Sequence, residues 1–174
     1  MTTIHETHRS PTDSAVAARR AVAGCTIAAV AAMWLGLLGP AWTYVPPQPQ
    51  GTAPAAELSF AALSAAVAGS SSAVQVTYFG WLAWAFAFGT TVLAILLIRT
   101  GHRLIAALCI GAGALQLAVA VLAVKGPLPW SVFVDGLADA RLGAALMLAG
   151  YVLLVAAGVL AVRLPSADHA PTPE

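Results

Sequence analysis

Four long stretches of this chain carry no charged side chain, and a charged residue bounds each at one end or both. Ala21–Gly39 is almost wholly apolar and follows Arg19-Arg20. A second run goes from about Tyr78 to Ile98 and stops at Arg99. A third fills the interval between Arg103 and Lys125, and a fourth that between Arg141 and Arg163. A helix rises about 1.5 Å per residue, so about 20 residues cross a hydrocarbon core of about 30 Å. Apolar residues surround each run instead of forming one stripe, as in a helix set in lipid or wholly buried. Such a segment satisfies its backbone in lipid only as a helix, and the two-residue alternation of a transmembrane strand is missing. The pattern predicts an all-α, polytopic membrane protein, a bundle of four transmembrane helices over about residues 21–43, 76–98, 104–124 and 142–163. The first run is longer than a secretory h-region and follows a polar leader, so it is expected to be retained.

The connections are polar and individually distinct. The leader, residues 1–20, and the tail, residues 165–174, are rich in Thr, Ser, Pro and His and are expected to be disordered. In the first long loop, Trp42 and Tyr44 fall where an aromatic belt meets the membrane surface. Pro46, Pro47, Pro49 and Pro54 then favour an extended course. Ala55–Ala68 contains few breakers, which predicts a short interfacial helix, and Gly69-Ser70-Ser71-Ser72 reads as a hinge. The link Arg99-Thr100-Gly101-His102-Arg103 is so short that the second and third spans must form an antiparallel hairpin. The second loop opens with Gly126-Pro127-Leu128-Pro129, after which Trp130 and Phe133 suit an interfacial turn.

Composition agrees with the pattern. Hydrophobic residues make up 60% and charged residues 9%, with a mean hydropathy of +0.85; soluble domains hold roughly 45–50% and 25%. A net charge of +1 supplies no basic surface for nucleic acid. With the N-terminus inside, Arg9, Arg19, Arg20, Arg99, Arg103 and Arg163 fall on the cytoplasmic side and only Lys125 and Arg141 outside. This asymmetry predicts N-in/C-in topology in a cell membrane, with leader and tail both cytoplasmic.

No Asp, Glu, Lys, Arg or His lies inside a run, the feature that marks proton relays and ion pathways. All four histidines fall outside the spans, so paired haem ligation within the membrane has no ligands. Cys25 and Cys109 sit singly in separate runs, with no CxxC, so the chain lacks the motif of quinone-linked four-helix disulfide enzymes. A claudin-like reading of the large first loop lacks the loop cysteine pair of that family. Walker, GxSxG and HExxH motifs are absent, and no metal, cofactor or catalytic set is expected.

The candidates that remain are contacts. Gln116 lies near the middle of the third run, where an amide must hydrogen-bond to another helix; Thr90, Thr91 and Tyr151 are the other polar candidates. Gly113 shares a face with Cys109 and Leu117, beside Gly111, Ala114 and Ala118, and Ala145/Ala149 and Ala157/Ala161 repeat the small-xxx-small spacing. Trp42, Trp130, Asp135, Asp139 and Arg141 are candidates for contacts at the outer surface. The expected function is a non-catalytic accessory or scaffold subunit of a cell-envelope complex, partnered by the bilayer and by other membrane proteins or itself. The alternative is a small oligomeric channel, exporter or lipid-handling transporter, with Gln116, Thr90, Thr91 and Tyr151 lining a polar path.

Overall fold

A computed structural model describes residues 11–47 and 54–164, with side chains from Val16 onward, and it is mostly helical. In chain order the elements are α1 (Pro11–Leu38), β1 (Thr43–Val45), β2 (Ala56–Leu58), α2 (Phe60–Ala66), α3 (Ala73–Thr100), α4 (Arg103–Lys125), α5 (Trp130–Gly136) and α6 (Leu142–Arg163). Helices α1, α3, α4 and α6 are long and apolar enough to cross a membrane. They close a ring: α1 packs along α6, α6 along α4, α4 against α3, and α3 against α1. The two contacts made by α6 are the most extensive.

The buried positions follow a regular register. They are Ala83, Ala87, Thr90, Ala94 and Leu97 on α3, and Ala106, Cys109, Gly113, Gln116, Ala120 and Ala123 on α4. On α6 they include Gly143, Met147, Gly150, Leu154, Ala157 and Ala161. Alternating steps of three and four residues are the repeat of left-handed helix packing. Most of these residues are small, whereas Leu104, Leu108, Leu115 and Leu122 of α4 point outward. Apart from Thr90 and Gln116 both sets are apolar, so the stripe is chiefly one of size. Small residues let the backbones touch. A Cβ on Gly150 would lie 3.0 Å from the Ala29 carbonyl oxygen of α1, and one on Gly158 would lie 2.6 Å from that of Ala106 on α4.

The α3–α4 hairpin is built as its short link requires. Gly101, at φ +58, takes the left-handed conformation and donates its N–H to the Leu97 carbonyl at 2.9 Å. His102 caps the next helix, its Nδ1 accepting from the Leu104 N–H at 3.2 Å. We call this the turn end of the bundle, and the opposite end, where the long connections lie, the loop end.

Several boundaries differ from those the sequence suggests. Helix α1 begins at Pro11, so the residues from 11 to 20 are helical and not disordered; residues 1–10 and 165–174 lie outside the described residues. It stops at Leu38, short of residue 43, because Pro40 has no N–H and disfavours a helical Gly39 before it. The segment expected as one helix over Ala55–Ala68 divides. Residues 56–58 form β2, antiparallel to β1 with Tyr44 opposite Glu57, and Ser59 then caps the shorter α2 by accepting from the Ala62 N–H at 3.3 Å. The anticipated hinge ends at Ser72, whose hydroxyl accepts from the Gln75 N–H at 3.3 Å and starts α3.

Within α3, Tyr78–Leu82 forms a π-helical turn, and the Ala83 N–H reaches back to the Tyr78 carbonyl. The extra residue lets the neighbours Tyr78 and Phe79 both face inward before the three-and-four register resumes at Ala83.

Candidate functional site

The polar side chains of the spans meet in pairs. Gln116 of α4 faces Thr90 of α3: the Thr90 hydroxyl lies 3.1 Å from Nε2, which donates to it, and 3.2 Å from Oε1, which accepts. Both side chains are buried. The short hairpin link brings the two residues to within about one helical turn of each other along the bundle, Thr90 ten residues before Thr100 and Gln116 thirteen after Arg103, and the long amide side chain covers the difference. Thr91 points elsewhere. Its hydroxyl accepts from Trp34 Nε1 of α1 at 3.1 Å and donates to the Ala87 carbonyl at 2.8 Å, tying α1 to α3. Tyr151 of α6 meets Tyr78 of α3 across the ring, with hydroxyl oxygens 3.0 Å apart and both side chains fully enclosed. Thr26 donates to the Val22 carbonyl within its own helix. Among the described residues, every buried side-chain nitrogen and oxygen has a hydrogen-bond partner.

Gly113 is a close-approach position. A Cβ there would stand 3.0 Å from the Tyr151 carbonyl oxygen and 2.7 Å from Val155 Cγ2, so it sets the α4–α6 separation beside the tyrosine pair. Its expected neighbours Gly111, Ala114 and Ala118 face outward, as do Ala145 and Ala149, while Ala157 and Ala161 are buried.

At the loop end a cluster of rings fills the bundle mouth. Trp42, expected at the outer surface, is 3% exposed. It is drawn inward because its indole N–H donates to the Gly36 carbonyl and its ring stacks edge-on against Phe60 (5.2 Å) and Phe79 (5.7 Å). Phe60 also meets Trp84 at 5.9 Å, and Trp84 meets Trp34 at 6.2 Å, so the rings form a continuous row between α1 and α3. Gly143 leaves the space for Trp42: a Cβ there would come within 2.6 Å of its Cδ1.

Backbone bonds stitch the two long loops over this plug. Trp42 N–H donates to the Leu58 carbonyl (2.8 Å), Arg141 N–H to the Trp42 carbonyl (2.9 Å) and Gly143 N–H to the Ala41 carbonyl (2.9 Å). Arg141 lies 3.6 Å from Glu57 and 4.9 Å from the Tyr44 ring centre, which makes it a clamp between loops. Asp139 uses its backbone carbonyl, which accepts from the Thr43 hydroxyl at 3.5 Å, and Asp135 is exposed on α5. Trp130 is exposed, packs edge-on against Phe133 at 5.7 Å, and carries the Lys125 ammonium over its ring at 5.1 Å.

The structure thus joins Gln116 to Thr90, sets Gly113 against the backbone of Tyr151, and brings Trp42, Asp139 and Arg141 together through backbone bonds, while Thr91, Trp130 and Asp135 stand apart from these groups. Sequence reasoning missed Tyr78, Phe60, Phe79 and Glu57 as partners, and Trp34 as a hydrogen-bond donor. The short hairpin link was the available signal that Gln116 faces α3 near Thr90; no local signal announces Tyr78, because its partner comes from α6. Among the described residues no three His, Cys, Asp or Glu side chains are grouped as metal ligands. Comparison of the chain with protein-family models, curated proteins and solved structures gave no match.

Proposed function

We propose that this chain is a non-catalytic integral membrane protein, an accessory or scaffold subunit of a cell-envelope complex, with both termini cytoplasmic. The observation that carries the reading is an outward stripe on α4. Ala107, Gly111, Ala114 and Ala118 are exposed and follow the same four-three-four spacing as the buried register. A Cβ on Gly111 would meet nothing within 4 Å. Between the flanking leucines this is a smooth groove of the kind that lets another transmembrane helix approach closely. Inside the bundle, Thr90, Gln116, Tyr78 and Tyr151 are engaged with one another, which supports packing roles over the lining of a polar path.

Co-purification of the full chain in mild detergent, followed by mass spectrometry, tests the proposal. A reproducible membrane-protein partner is expected, and Gly111→Leu or Ala114→Leu should reduce its recovery while the monomer stays folded. Recovery of the chain alone would sink the reading. Recovery only as a self-assembly would favour the oligomeric alternative, which liposome flux and its loss in Gln116→Leu would then establish.

A further inference from the structure

The cations at the two ends of the bundle are treated differently. At the loop end both are engaged within the chain: Lys125 lies over Trp130, and Arg141 lies over Tyr44 and beside Glu57. At the turn end Arg19, Arg20, Arg99, Arg103 and Arg163 are all exposed. Among the described residues they have no ion pair and no aromatic partner, and the described acidic side chains, Glu57, Asp135 and Asp139, all lie at the loop end.

These arginines also share a level. The buried residue nearest the turn end is Val22 on α1, Leu97 on α3, Ala106 on α4 and Ala161 on α6, and all four belong to one cluster. Arg20, Arg99 and Arg163 lie two residues beyond that layer, and Arg19 and Arg103 three. At about 1.5 Å per residue, the five Cα atoms fall within a slab roughly 3–5 Å past the end of the core. Every spanning helix contributes, so the charge forms a ring around the bundle. Helix α4, 23 residues from Arg103 to Lys125, is about as long as the hydrocarbon core is thick. The ring therefore stands at headgroup depth, where long arginine side chains extend to the interface.

We propose that this arginine ring is a binding collar for anionic phospholipids, with guanidinium groups taking phosphate oxygens from lipid headgroups around the turn end. Guanidinium matches phosphate with two parallel N–H donors, and the low dielectric nearby strengthens such bonds. The inference rests on the helices lying across a bilayer and is independent of which face is cytoplasmic and of any protein partner.

The full chain is reconstituted into bilayers of phosphatidylcholine with and without phosphatidylglycerol, and lipids retained after gentle extraction are counted by native mass spectrometry. The expected result is retention of phosphatidylglycerol over phosphatidylcholine by about fivefold or more, given the attraction of each basic residue to an anionic surface. It should fall as salt rises, and fall towards equality in an Arg99→Gln, Arg103→Gln, Arg163→Gln variant. Equal retention of the two lipids by the unaltered protein would overturn the proposal, even if the variant failed to insert. A preference that survived the triple substitution would also overturn it. Inorganic phosphate at matched ionic strength is expected to leave the retained lipid in place; displacement by it would mark a site for free phosphate and contradict a lipid collar.

Discussion

The two halves of the bundle are held together by different means. At the turn end the core is Val22, Ala29, Leu97, Ala106, Cys109, Leu154 and Ala161, largely small side chains that bring backbones into contact. At the loop end small residues persist on α3 and α4 (Ala83, Ala87, Ala120 and Ala123), but Met33, Leu37, Trp42, Phe60, Tyr78, Phe79, Met147 and Tyr151 join them, and rings fill wider space between the helices. Small-residue packing needs only the helices themselves. Ring packing needs a lid, so the loop end carries β1, β2 and α2, and Trp42 and Phe60 enter the core from connections and not from spans. The same division separates the cations, which are clamped inside the fold at the lidded end and left outward at the other.

Removing Trp42 should damage the lidded half most. Trp42→Ala deletes an enclosed ring and its bond to the Gly36 carbonyl. Large-to-small aromatic changes of this kind cost about 3–5 kcal/mol. Reversible unfolding in detergent should show it, together with loss of protease protection in the first loop. The corresponding break at the turn end is Gly158→Leu, which drives a side chain into Ala106 and Ile110. Overpacking costs about 1–3 kcal/mol, and the loop-end lid should stay protected. If both substitutions opened both ends equally, the division into halves would be wrong.

Smaller effects sharpen the comparison. Gln116→Leu removes the bond to Thr90 and should lower stability by about 0.6–2 kcal/mol, the range for interhelical hydrogen bonds in membranes; a Thr90→Val, Gln116→Leu cycle would isolate the pair. Glu57→Gln leaves Arg141 over Tyr44 and without its ion pair. Because both charged groups are well exposed, 37% and 63%, the expected loss is at most about 1 kcal/mol and disappears in high salt.

Much of the architecture was legible because charge is costly in lipid: Arg99, Arg103, Lys125, Arg141 and Arg163 mark helix ends to within a residue or two. The helix faces were not. Ala, Gly, Leu and Val are all apolar, so the division between Ala106, Gly113 or Ala120 inside and Leu108 or Leu115 outside is carried by volume. Gln116 was readable as an interior contact, since a buried amide must have a partner, and the short turn at Gly101 lays α3 alongside it, where Thr90 is the polar residue within reach. Trp42 misled for a physical reason. An aromatic residue at the end of a span suits the interface equally well, and only Phe60 and Phe79, brought to it by the folded loop and the π turn, decide that it is buried.

The stripe on α4 is where the fold meets the proposed function. A photo-crosslinking residue at Gly111, compared in native membranes with one at Val152, which is exposed on α6, tests it most directly. A discrete adduct with another membrane protein is expected from position 111 and none from position 152. Equal labelling from both positions, or no adduct from 111, would contradict a docking role for this face.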